Sequence, residues 1–421
     1  MAMFFRVLVV FLCACMLCAG TGRAKNVKQD RLVDVLVEKG IITRQEAREI
    51  REQADEEPTV PDYLKGWKFG ILGYLDYSNG RSPLAGGSDT SYNDFRLTRG
   101  YFTVKRDVTH WLGGRMTIDI HKDTSGDYKE RMKYLYAEMR PKDAGFLTGM
   151  KIEAGLGHIP WLDFEEHVNP YRCQGTMAIE RAGVLNSADT GVSIRGNFGG
   201  TLNDATGKTG NHHYDGLYGT WHIGLYNGPG YHASEGNNNK VLEGRLTVRP
   251  LPDVLPGLQF SYFGVYGEGN KMAAGAADYP DYHVNLGMIS YEHPDVILTA
   301  QYIATDGQKD GNWVDASGEA LSAEGYSFFG RVRLAMLDPD LAVFARYDNF
   351  DPDSDDKIAG NTGYDMVIAG LSYDFYKGNM LLVSYETTDY EENCGGRGKA
   401  PAVGKKLGDD RKIQVVWQLR L

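Results

Sequence analysis

Ile413-Gln414-Val415-Val416-Trp417-Gln418-Leu419-Arg420-Leu421 closes the chain, and its alternation decides the fold. Ile413, Val415, Trp417, Leu419 and Leu421 fall on one parity, and Gln414, Val416, Gln418 and Arg420 on the other. Side chains of a strand alternate between its faces, so this is a strand with one apolar face and one largely polar face. Working back from it to residue 66, the same period-two pattern predicts sixteen strands: 66–78, 95–106, 111–120, 131–140, 150–157, 190–199, 218–227, 240–249, 257–266, 282–292, 296–305, 324–334, 341–350, 362–375, 379–389 and 411–421. None of the 15 prolines falls inside them, as a ladder that uses every amide requires.

The connections alternate too. Those after odd strands are mostly long and polar (79–94, 158–189, 228–239, 267–281, 306–323, 351–361, 390–410), and those after even strands are mostly short, such as Asp107–His110 and Tyr376–Gly378. The segments 141–149 and 200–217 are too long for ideal turns. This rhythm predicts an all-β fold: a 16-stranded antiparallel transmembrane β-barrel with a short N-terminal helical segment. A soluble sandwich would also alternate, but Trp67, Trp111, Trp221 and Trp417 sit near strand ends, where a barrel carries its aromatic girdles.

The residues before the barrel read differently. Met1 to Ala24 carries Arg6, an apolar run from Val7 to Gly20 and small residues at Gly22 and Ala24, a secretory signal peptide cleaved before Lys25. Its loss removes Arg6 and Arg23 and takes the formal charge from −11 to −13. Residues 25–62 form a periplasmic helical leader and linker: Gly40 stops a first helix, Thr43-Arg44-Gln45-Glu46 caps a second, and Pro58 and Pro61 close the segment. The barrel occupies 63–421. Cys173 and Cys394 remain in an exported chain and could pair in an oxidising compartment.

If Trp417 faces lipid, the opposite parity lines a water-filled lumen. Arg115, Arg245, Arg249, Arg331, Arg333 and Arg346 then point inward, since the reverse would set arginine against lipid at about 2–4 kcal/mol each. Arg96 and Arg99 have opposite parity, which calls for a bulge or for a charge at an interface. Lumenal guanidinium groups suit an anion path, because they are always charged and fork onto oxyanions. Paired with Asp119, Glu243 and Asp348, they could equally brace the wall. The connection 158–189, after the fifth strand, is the candidate inward constriction loop, carrying Glu165, Glu166, Arg172, Glu180 and Arg181. The acidic run Asp348, Asp351, Asp353, Asp355 and Asp356 reads as a solvated loop, without the turn glycine and distal glutamate of a calcium loop.

At these residues the chain resembles the phosphate-selective porin O and P family. The resemblance rests on Gly157-His158-Ile159-Pro160, Ile179-Glu180-Arg181, Asp189-Thr190-Gly191-Val192, Leu225-Tyr226-Asn227-Gly228-Pro229-Gly230, Gly244-Arg245-Leu246 and Phe344-Ala345-Arg346-Tyr347-Asp348. It implies a homotrimer of 16-stranded barrels with an inward loop bearing a Glu-Arg pair and an arginine-lined anion route, to which Arg181 and Arg346 would belong. Three departures accompany it: the chain ends in Leu421 rather than an aromatic residue, it has a helical leader, and its strands lack a dense lysine cluster.

The expectation is an outer-membrane porin of a Gram-negative bacterium, passing small anions such as phosphate by passive diffusion. A general non-selective porin, or a barrel scaffold sheathing a partner protein, is the alternative. An acidic chain of pI near 5.4 offers no phosphate-tracking basic face, which argues against nucleic acid as a partner. No Gly-x-Ser-x-Gly, Walker or His-Glu-x-x-His element points to an enzyme, and His212-His213 has no further ligand at metal spacing, so neither metal nor cofactor is expected.

Overall fold

A computed structural model of the chain describes residues 64–123 and 125–421, together with Val37 and Lys39. The expected signal peptide and, those two positions excepted, the helical leader lie outside the described residues. From Trp67 the chain forms β1 (Trp67–Pro83), β2 (Asp89–Asp107), β3 (Leu112–Lys122), β4 (Tyr128–Met139), β5 (Leu147–His158), β6 (Ala188–Phe198), β7 (Gly219–Tyr226), β8 (Val241–Val248), β9 (Leu258–Glu268), β10 (Asp281–Glu292), β11 (Val296–Asp306), β12 (Ser322–Arg333), β13 (Leu341–Asp351), β14 (Tyr364–Tyr376), β15 (Asn379–Tyr390) and β16 (Asp410–Arg420). All sixteen predicted strands are present. Each pairs antiparallel with its neighbours in sequence, and β1 pairs with β16 from Leu72↔Arg420 to Arg81↔Arg411, closing the sheet. Closure leaves no edge, the condition for a sheet to sit in hydrocarbon with its backbone groups bonded.

Parity sets the faces. Leu242, Leu246, Val248, Tyr326, Phe328, Val332, Val343 and Tyr347 are exposed on the outside, while Glu243, Arg245, Arg249, Arg331, Arg346 and Asp348 are buried inside. Aromatic pairs gird both rims: Tyr77 with Phe95 and Tyr302 with Tyr326 at the long-loop end, and Phe146 with Tyr218 and Phe375 with Trp417 at the short-turn end.

Two bulges re-aim charges. Tyr74 pairs with Arg99 and Leu75 with Leu97, so Thr98 is extra; Arg96 then reaches Asp76 (4.0 Å) and Arg99 reaches Asp119 (2.9 Å), both from inside. This resolves the parity conflict. Opposite Thr117 and Ile118 the register slips again, from Tyr134 to Met132, and the extra Lys133 turns inward beside Tyr134.

One predicted long loop is absent. Residues 79–83 and 89–94 continue β1 and β2, and only 84–88 turn, with the Leu84 amide donating to the Ser88 carbonyl (2.8 Å). Gly80, which reads as a turn residue, serves close strand approach instead: a Cβ there would stand 2.3 Å from the Arg411 carbonyl oxygen. Pro83 ends the strand, where no further ladder amide is needed.

Candidate functional site: a lumen constriction

The two sides of the lumen differ in chemistry. Inward positions from β9 to β15 are largely apolar, with Phe263, Val265, Leu286, Met288, Phe329, Phe344, Ile368 and Leu382 all buried. The connection 159–187 folds in and packs against them through Trp161, Leu162, Phe164, Ile179, Val184 and Leu185. Each such side chain stabilises the fold by roughly 1.5–3 kcal/mol when fully buried, which is what draws this loop off the rim and onto the wall.

The loop carries two short helices, α1 (Leu162–Val168) and α2 (Ala178–Arg181). The Trp161 indole donates to Glu165 Oε2 (2.7 Å), one turn on, and Asn169-Pro170 ends α1 because the residue before proline avoids helical geometry. Tyr171 then lies on Phe344, ring centroids 4.3 Å apart, with its hydroxyl 2.6 Å from Ser372 Oγ. Burial pushes the Glu165 carboxyl up to about 7 against the hydrogen bonds from Gln301 and Trp161 and the nearby Arg346 guanidinium. The carboxylates of Glu166 and Glu180 meet at Arg172 (2.7 and 3.4 Å).

On the opposite wall, β2–β4 present cations among tyrosines. Arg99 and Arg131 share Asp119 Oδ2, at 2.9 and 2.8 Å. Arg115 lies over the Tyr134 ring (4.4 Å), and its guanidinium stands 3.1 Å from His158 Nε2. Lys133 donates to the Tyr101 hydroxyl (3.1 Å) and faces the rings of Tyr101, Tyr134 and, from the connection 227–240, Tyr231. Lys105, exposed, projects into the lumen on the same face. Among the described residues neither Lys133 nor Arg115 forms an ion pair with a carboxylate; tyrosine π-faces hold them instead.

Every predicted lumenal arginine faces inward, but several are taken up by the inserted segments. Arg245 donates to the Pro160 carbonyl (3.0 Å) beneath the Phe164 ring, and Arg346 donates to the Thr176 carbonyl (2.8 Å) while chelating Asp348. Arg249 reaches the Gly216 carbonyl and Arg331 the Pro294 carbonyl. Arg333 stands beside Asp374 at the short-turn rim. Arg181 pairs with Glu386 (3.0 Å). Only Arg115 of the set joins the cationic wall.

The over-long segment 199–218 is a second insertion, entering from the short-turn end. It contains α3 (Ala205–Thr209), and from it Tyr214 donates to Asp163 while Asn211 donates to the His167 carbonyl (3.0 Å) and Glu292 (2.8 Å). The His213 ring meets that of His167 at a tilt of 46°, 3.9 Å between centroids. Among the described residues no three His, Cys, Asp or Glu side chains are grouped to hold a metal. Cys173 and Cys394, whose pairing the sequence leaves open, are both free and buried: the first packs in the lumen loop and the second in the connection 391–409. The acidic run corrects the expectation of a solvated loop, since Asp353 is buried and accepts the amides of Lys357 and Ile358.

Arg99, Tyr101, Arg131, Lys133 and Tyr134 were not predicted as site residues. The signal was present, for Arg131 and Lys133-Tyr134 crowd one strand while Phe263, Phe329 and Phe344 occupy lumen parity on others. Apolar side chains facing a lumen mark the wall that a loop must cover.

A closed barrel with an apolar belt, aromatic girdles and a loop folded into its lumen has the architecture of outer-membrane porins, and such an exterior belongs in the outer membrane of a Gram-negative bacterium. Solved structures share it. OmpF of Salmonella typhi, solved with daunomycin, superposes with a TM-score of 0.55 at 12% identity, over 85% of this chain and 98% of that one. OmpT, an outer-membrane protein of Vibrio cholerae, gives 0.51 at 11%, over 87% and 100%. An anion-selective porin from Comamonas acidovorans gives 0.51 at 11%, over 84% and 99%. By sequence, no protein family and no curated protein matches the chain.

Proposed function

We propose that this protein is a passive diffusion channel of the outer membrane with a preference for small anions. One observation carries the reading: the wall cations Arg99, Lys105, Arg115, Arg131 and Lys133 face Asp119 as the carboxylate their own ion pairs use, while the loop carboxylates opposite, Glu166 and Glu180, are bound to Arg172. A water-filled path between low-dielectric walls focuses this excess positive potential onto the permeating ion. The preference thus rests on β2–β4; Arg245, Arg249, Arg331 and Arg346 fix the inserted segments that shape the path. Phosphate as one of the anions, and a homotrimer as the assembly, follow from the family resemblance. The reading contains no catalytic step.

The test is the zero-current potential of the purified protein in a planar bilayer across a chloride gradient, repeated with phosphate added. Chloride preference with block by phosphate is expected. Cation preference overturns the selectivity, and a folded barrel without conductance overturns the channel. Chemical cross-linking in detergent reads the trimer.

A further inference from the structure

His158 ends β5 at the point where the chain leaves the wall for the constriction loop, and it is 2% exposed. Its two ring nitrogens have partners of opposite kind. Nδ1 stands 2.8 Å from Glu153 Oε2, which as a carboxylate oxygen accepts, and Nε2 stands 3.1 Å from the Arg115 guanidinium, which can only donate. The ring proton therefore sits on Nδ1, and Nε2 is a bare, neutral acceptor for Arg115.

The ring is fixed in that orientation. It packs against Tyr134 (centroids 4.3 Å apart) and Tyr136 (5.5 Å), the His158 amide donates to the same Glu153 oxygen (3.2 Å), and the His158 carbonyl accepts the Tyr226 hydroxyl (2.7 Å). Gly157 leaves room for this fold of the chain, since a Cβ there would stand 3.1 Å from Glu153 Oε2.

Two carboxylates lie close by. Arg195 bridges Glu153 Oε1 (2.9 Å) and Asp163 Oδ2 (3.1 Å), and the Tyr214 hydroxyl donates to Asp163 Oδ2 as well. Asp163 Oδ1 is the less engaged oxygen, 3.6 Å from His158 Nε2 and 3.9 Å from His167 Nδ1. Arg115 and this carboxylate oxygen thus approach the same imidazole nitrogen from β3 and from α1.

We propose that His158 is a positioning residue of the anion path, a neutral acceptor that fixes Arg115 on the lumen wall and keeps it out of an ion pair with Asp163. The inference rests on the anion-channel reading and adds the residue through which one wall cation keeps its field. A guanidinium bonded to a carboxylate has its charge cancelled by that partner, whereas one bonded to an imidazole nitrogen and laid on the Tyr134 ring, 4.4 Å away, does not. With Nε2 removed, Asp163 Oδ1 becomes the acceptor at hand, and the remaining bond from Arg115 Nε to the Thr117 hydroxyl (3.0 Å) leaves the outer fork free to turn to it.

The zero-current potential across a potassium chloride gradient is measured for wild type, His158→Asn and His158→Gln, with gel mobility on heating as the check on folding. Asparagine keeps a donor near the Nδ1 position and nothing at Nε2, while glutamine returns an oxygen near Nε2. His158→Asn should lower the chloride-to-potassium permeability ratio by at least about twofold, and His158→Gln should recover most of that loss. In an Arg115→Gln background, His158→Asn should lower the ratio no further. Should His158→Asn fail to fold, nitrogen NMR of histidine-labelled wild type, assigned against His158→Gln, reads the tautomer: a proton on Nδ1 alone is expected, and one on Nε2 at neutral pH overturns the proposal. It is overturned equally by an unchanged ratio in His158→Asn, by no recovery in His158→Gln, or by the same loss with Arg115 absent. A wild type that prefers potassium overturns the anion-channel reading itself, and this inference with it.

Discussion

Lys133 reaches the lumen because the β3–β4 ladder slips by one residue, and it stays there among aromatic faces rather than beside a carboxylate. Its side chain is buried, so this uncompensated charge acts on a permeating anion through the potential of the wall and not by open contact. A unit charge about 4 Å away in water is worth about 1 kcal/mol, or roughly fivefold in an equilibrium. Lys133→Met keeps the apolar stem and should lower the anion-to-cation permeability ratio by up to about fivefold, read from the zero-current potential; an unchanged ratio would remove Lys133 from the path. Asp119→Asn has the opposite sign. It strips the shared acceptor from Arg99 and Arg131, so anion preference should rise while the temperature at which the barrel loses its compact gel mobility falls. Residue identity alone could not rank these groups. Parity sends Arg245 and Arg115 equally inward, and only the course of the loop decides that one is covered and the other half-buried.

The loop 159–187 behaves as an element fastened by the wall it covers. Arg245 and Arg346 hold two of its carbonyls, those of Pro160 and Thr176. Arg245→Met should cost about 1–3 kcal/mol of local stability by leaving that buried carbonyl unpaired, and should increase protease cleavage within 159–187 while leaving ion preference intact. Glu165 makes the same loop sensitive to pH. Its carboxyl is held near 7 in the folded protein against an ordinary value near 4.5, so the folded state binds the proton more tightly. The stabilisation is complete below about pH 4.5 and declines as pH rises to about 7, beyond which the loss levels off at about 3 kcal/mol. Cleavage of the loop should therefore rise between pH 5.5 and 8.5 in the wild type and stay flat in Glu165→Gln; parallel profiles would refute the assignment. At this scale the sixteen strands were legible because two solvents impose period two on each of them. The β1–β2 extension was not, since Asn79-Gly80-Arg81-Ser82-Pro83 has turn composition and its pairing is decided by β16. The segment 199–218 was legible as too long for a turn but not as an insertion, because its lumen partners, Asp163 and Glu292, come from elsewhere in the chain.

Closure is the property of the whole molecule on which the rest depends. β1 and β16 meet over ten register pairs, from Leu72↔Arg420 to Arg81↔Arg411, and inside that seam Gln414 donates to Asp76, which also receives the Ser78 hydroxyl (2.5 Å). The final residue takes part, as Ile71 and Leu421 exchange both backbone hydrogen bonds at 3.0 Å. The seam begins at Ile71 and the β1–β2 ladder at Trp67, and among the described residues none before Trp67 enters the sheet, whereas removal of β16 would leave β1 and β15 with unpaired edges in lipid, where each unsatisfied backbone group costs several kcal/mol. Two truncations should separate these cases. A chain lacking 26–56 should still insert and show the slower gel mobility on heating that marks a closed barrel. A chain ending at Asp409 should fail to do so, although it loses fewer residues. Retained heat-modifiability in the second would show that the barrel can close by pairing β1 with β15, and loss in the first would give the leader a part in folding that the β1–β16 seam does not require.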